Sequence, residues 1–140
     1  MPTVYNDVIG VQHYNWYLEG DIGPAEFPLH QSLVFSEQPD HLWLNTGTAF
    51  GEVPVVINLL DEPPPSTDGW QTVQDATLVV TQPALKVIGG NNEWYGDVRI
   101  TPGTYNVRYY VNGFDAGMAQ DVADDDHPAP DRYQLDIWPA

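Results

Sequence analysis

Residues 97–138 read DVRITPGTYNVRYYVNGFDAGMAQDVADDDHPAPDRYQLDIW, and this stretch decides the fold. Tyr105, Val107, Tyr109 and Val111 alternate with Asn106, Arg108, Tyr110 and Asn112, the period of two that a strand shows when one face is buried. Residues 133–138 repeat the pattern, with Tyr133, Leu135 and Ile137 on one face and Gln134, Asp136 and Trp138 on the other. These two strands are expected to pair. Just upstream, Pro102 fixes φ and Gly103 tolerates φ > 0, a combination that favours a type II turn. Such turns match hairpin twist poorly, so residues 101–104 should form a bulged hairpin or an arch between two sheets.

Between the two strands the chain is acidic. From Asp115 to Asp136 it carries seven acids against one base, Arg132. A connection this long exceeds the roughly 12–15 residues of most structureless loops in compact domains, and loops of that kind are functional or disordered.

Working outward, the remaining apolar runs are short and turn-bounded. Residues 8–18 (VIGVQHYNWYL) carry bulk on both faces and read as one long strand covered on both sides. Residues 21–28 read as a loop, and residues 29–35 as a short strand or a turn of helix. Residues 41–44, 51–60, 76–81 and 85–88 are further strand candidates, and Pro54 places the start of its strand at an edge. The triple proline in DEPPPSTDGW marks an extended surface loop, and Gly89-Gly90-Asn91-Asn92 a turn. About eight strands without interleaved helices predict an all-β fold, a single antiparallel β-sandwich domain over residues 1–140.

Twelve Gly, 13 Pro, 5 Trp, 8 Tyr and 4 Phe among 140 residues fit that class. With no cysteine, disulfides, thiolate metal sites and Cys nucleophiles are excluded. The N-terminus lacks a basic region followed by an apolar core, and no run approaches 18 apolar residues, so a cytoplasmic protein is expected. Twenty acids against four bases give a net charge of −16. That field repels phosphate backbones and anionic lipid, which argues against nucleic acid or membrane as a partner and for a basic protein or a cation.

The chemical motifs are weak. Asp121 to Asp131 offers oxygen ligands for calcium, yet no Gly falls where an EF-hand loop needs one. His13, His30, His41 and His127 fall in no metal-ligand spacing, so no metal or other cofactor is assigned. With 20 acids some pair will meet the spacing of a glycosidase by chance. No nucleophile elbow or phosphate cradle is present, and no catalytic residue is assigned. The tryptophans would suit sugar stacking, but aromatics are also strand formers and core fillers.

The early VQHYNWYL, the later ITPGTYNVRY, the acidic loop and the closing DRYQLDIWP together resemble the competence protein J family, inhibitors of the DNA-entry nuclease, and small acidic bacterial proteins. The resemblance covers roughly the first twenty and last forty-five residues. It implies a small cytoplasmic β-sandwich that silences a nuclease without chemistry of its own. Carboxylates standing where phosphates would lie suit that role, with Asp121, Asp124, Asp125, Asp126 and Asp131 as partner-binding candidates and Trp94 and Trp138 as anchors. The alternatives are a calcium- or carbohydrate-binding sandwich module and an acid–base enzyme using Asp or Glu.

Overall fold

Strands occupy the stretches read from the alternation among residues 3–20 and 32–140, the part of the chain that the computed structural model describes, except that residues 8–18 divide between two strands. The order is β1 (Thr3–Gln12), β2 (Asn15–Glu19), β3 (Val34–Phe35), β4 (His41–Asn45), β5 (Phe50–Leu59), β6 (Thr72–Val80), β7 (Ala84–Gly89), β8 (Trp94–Arg99), β9 (Gly103–Asn112), α1 (Phe114–Gln120) and β10 (Arg132–Pro139). The loop expected at 21–28, His30 and the start of the 29–35 segment lie outside the described residues.

The ten described strands form one sheet rather than two. One half runs β1-β5-β10-β9-β6 and the other β3-β4-β2-β7-β8, and the β1–β2 turn joins them. The sheet curls into a nearly closed barrel, and the two remaining seams are bridged rather than laddered. At one, Val34 N–H donates to Gln74 Oε1 at 3.0 Å and Asp40 N–H to the Val79 carbonyl at 2.8 Å. At the other, Gly10 N–H donates to the Tyr95 hydroxyl at 2.9 Å and Gly90 N–H to the Gly10 carbonyl at 3.0 Å.

β9 and β10 pair antiparallel, with Tyr133 opposite Val111 and Ile137 opposite Val107. Strand direction departs from expectation on the other side of β10, which runs parallel to β5 with Leu135 opposite Ile57. The sheet is therefore mixed. Alternation reports which face is buried and carries no information on the direction of a neighbour distant in sequence.

Two turns also differ. Residues 8–18 break at His13-Tyr14 into a tight hairpin, where both residues have positive φ (57° and 68°). Hairpins of this kind favour Asn-Gly because of those angles, so nothing in His-Tyr announced the break. Residues 101–104 do form an arch, since β8 pairs with β7 while β9 pairs with β10 and β6. Gly103 is absent from the positive-φ glycines and starts β9, so the type II geometry is not used.

The core lies between the two halves. Ile9, Leu18, Leu44, Val53, Ile57, Leu78, Leu85, Val107 and Leu135 are all buried there. Trp16 is fully buried too, and its indole N–H donates to the Tyr109 hydroxyl at 3.1 Å, so the large ring brings no unpaired donor inside.

Candidate functional site

One end of the barrel collects the β1–β2 turn, the loop between β4 and β5, helix α1 and the acidic segment after it. The β4–β5 loop is the spine of this end. Ala49 and Phe50 N–H both donate to the Asp121 carbonyl, at 2.8 and 3.2 Å, and Ala123 N–H returns to the Phe50 carbonyl at 2.8 Å. At the far end of the acidic segment, Asp131 accepts from Thr48 N–H at 3.0 Å and from the Thr48 hydroxyl at 2.6 Å. Tyr133 donates its hydroxyl to the same carboxylate and accepts from Gly47 N–H at 2.8 Å. Both ends of the acidic segment are thus tied to residues 47–50.

Close approach explains the glycines here. A Cβ on Gly117 would stand 2.6–2.7 Å from the Asp131 carboxylate, and one on Gly47 only 2.2 Å from the Phe114 carbonyl. Helix α1, which alternation did not predict, is only seven residues long and carries Gly117 on its buried side. It is held by these contacts rather than by propensity.

Within the segment, Asp124 organises a turn. Its Oδ1 accepts from Asp126 N–H at 3.0 Å and His127 N–H at 2.8 Å, and its backbone exchanges hydrogen bonds with that of His127. Those donors favour the carboxylate, led by the His127 backbone, and hold its pKa below the ordinary value. Gln120 closes the loop by donating from Nε2 to the carbonyls of Val122, His127 and Pro128, at 3.2, 3.0 and 3.2 Å.

The structure sorts the sequence candidates. Asp121, Asp124, Asp125 and Asp126 are exposed and contiguous. Trp94 belongs to the same end, since β8 begins beside the Gly89 end of β7, and it is 62% exposed with its indole N–H on Asp97 Oδ1 at 2.9 Å. Asp131 is a correction: it is fully buried and its carboxylate serves the fold, so it has no surface to offer a partner. Trp138 is a second correction. It lies at the opposite end of β10, beside Asn106, and is buried with the Arg108 guanidinium 5.5 Å from its ring. The groups that cover them come from elsewhere in the chain: Thr48 and Gly117 lie against Asp131, and Arg108 against Trp138.

Basic groups do little to offset the acids at this end. Arg108 makes a bidentate pair with Asp75 at 2.8 and 2.9 Å, and Arg132 stacks over Trp70 at 4.4 Å. Among the described residues no three His, Asp or Glu side chains converge to hold a metal. The tryptophans form no common platform either: Trp16, Trp43 and Trp138 are buried.

Burial dominates the two core tyrosines Tyr109 and Tyr133. Tyr109 and Tyr133, with rings 5.4 Å apart, are both pushed well above the usual phenol range, chiefly by desolvation. A pKa raised by folding stabilises the native state fully below the unfolded value near 10 and loses that contribution as pH rises above it. Urea midpoints are accordingly expected to be level between pH 7 and 9 and to fall steeply above about pH 10. A flat profile to pH 11 would contradict the burial of these hydroxyls.

The chain shares the fold of ComJ. ComJ of Bacillus subtilis, an inhibitor of the DNA-degrading activity of NucA, superposes with a TM-score of 0.71 over 99% of this chain and 97% of its own, at 9% identity. The protein of crocagin biosynthetic gene J superposes with a TM-score of 0.55 over 97% of this chain and 99% of its own, at 13% identity. No family model and no curated protein matches the sequence. The resemblance drawn from the terminal strands and acidic loop therefore extends, as fold, along the whole chain, while so low an identity carries over no residue.

Proposed function

We propose that this protein is a non-enzymatic inhibitor that binds the basic face of a DNA-degrading nuclease, working as a single domain in the cytoplasm. The fold shared end to end with ComJ carries this reading. Physical support comes from the field: a chain of net charge −16 concentrates Asp121, Asp124, Asp125 and Asp126 on one ordered, exposed loop. A nuclease presents cationic groups to DNA phosphates, and carboxylates held on a rigid loop meet those groups without an ordering cost at the moment of binding. Charges so arranged speed encounter toward about 10⁸–10⁹ M⁻¹s⁻¹ at low salt, and screening over about 8 Å at physiological salt reduces the effect. No described helix is long and apolar enough to cross a membrane.

The test is DNA digestion by a purified nuclease of the NucA kind with increasing amounts of this protein. Digestion is expected to stop as inhibitor is raised in excess of the nuclease, with the apparent affinity falling at least about tenfold as salt rises from low to physiological strength. Undiminished digestion at large molar excess would sink the reading.

A further inference from the structure

Eight large hydrophobic side chains are exposed among the described residues, and they are not scattered evenly. Tyr14, Phe50, Met118 and Val122, exposed by 43, 37, 52 and 47%, gather at the acidic end of the barrel. Phe50 bridges to Val122, the Tyr14 hydroxyl lies 3.4 Å from Asp121 Oδ1, and Met118 stands one helical turn before Asp121. Val8, also exposed, lines an adjoining groove of about 420 Å³ with Pro54, Pro128 and the acids Glu52, Asp124 and Asp125.

Backbone strain coincides with this face. Of the five non-glycine residues with positive φ among the described residues, three are His13, Tyr14 and Asp121. A tyrosine in the left-handed region is disfavoured where Gly or Asn would sit without strain, and such outliers gather at functional sites. Here the turn thrusts the Tyr14 ring out beside the acids instead of relaxing.

We propose that this apolar patch and its acid-rimmed groove form one docking surface for a protein that presents Lys or Arg around apolar side chains. The inference rests on the inhibitor reading and adds its anchor. Patches of this kind mark interaction sites, and the field of the neighbouring carboxylates selects a cationic occupant. The groove suits a Lys or Arg, whose aliphatic stem lies along apolar surface while its charged head meets carboxylates. Tyr14, Phe50 and Val122 would then be the desolvated centre of the interface and Asp125 and Asp126 its charged rim.

Two ten-residue peptides of equal charge test this directly, one alternating Lys with Leu and one alternating Lys with Ser, titrated at physiological salt and followed by amide chemical shifts. The Lys–Leu peptide is expected to bind at least about tenfold tighter, as burial of a few apolar side chains requires, with shifts centred on Val8, Tyr14, Phe50 and Val122. Tyr14→Gly is expected to raise the thermal midpoint by relieving the turn and yet to lose most of the Leu preference, and Val122→Ser to lose it with the midpoint unchanged. Equal binding of the two peptides, shifts spread over the whole acidic surface, or full preference in both variants would overturn the proposal. Peptide results as expected beside an unaffected nuclease would remove only the nuclease as partner.

Discussion

Replacing Asp131 with Ala is expected to cost about 3–5 kcal/mol of stability. The carboxylate is fully buried and takes hydrogen bonds from Thr48 N–H, the Thr48 hydroxyl and the Tyr133 hydroxyl. Removing it strands three donors away from water, each costing about 1–3 kcal/mol when left unpaired, and rotation of the two hydroxyls recovers part of that. A loss of this size is a large share of the about 5–15 kcal/mol that holds a domain together. The damage should also spread along the chain. Asp131 fixes one end of the acidic segment to residues 47–50, so its loss frees the segment that Asp121 holds at the other end. Urea unfolding checks the magnitude, and amide exchange at Asp124 to His127 checks the spread. A variant within about 1 kcal/mol of the parent would mean that Asp131 is not the clamp described here.

The second large effect concerns binding. Asp125→Lys with Asp126→Lys is expected to weaken binding of the nuclease by about 100-fold at low salt, since like charges at an interface cost several kcal/mol. The choice of residues follows from the structure. Asp124 accepts the N–H groups of Asp126 and His127, so reversing it would confound lost charge with a broken turn. Asp125 and Asp126 are exposed and their side chains cap nothing among the described contacts. The double variant should therefore keep the thermal midpoint of the parent. Unchanged binding in a folded variant would show that the acidic loop is a solvated surface and no more.

Much of this architecture was legible in the sequence. The inward faces of β9 and β10 follow from alternation, with Val107, Val111, Leu135 and Ile137 buried, whereas Tyr110, Asp136 and Trp138 on the other face are buried as well, which alternation does not show. Direction was not legible, because the parallel β5–β10 pair depends on a strand about eighty residues away. The His13-Tyr14 hairpin was missed since its residues are atypical of the angles they adopt. At the candidate site, composition pointed to the acidic loop but treated its aspartates alike. Packing separates them: Gly117 and the Thr48 loop enclose Asp131, while Asp125 and Asp126 face solvent. Tyr14 and Phe50 carried no sequence signal, because an exposed aromatic and a buried one look the same in a strand-rich chain. Gly47 and Gly51 were the available hint, since glycines flanking a strand start often mark close backbone approach.

The measurement that bears most directly on charge mimicry is inhibition of a NucA-type nuclease at a series of DNA concentrations. If the acidic end occupies the cationic face that binds phosphates, DNA and inhibitor exclude each other, and the inhibitor concentration needed for half-inhibition rises in proportion to DNA above its Michaelis constant. Half-inhibition that stays constant across the series would place the inhibitor away from the DNA-binding face and contradict the account.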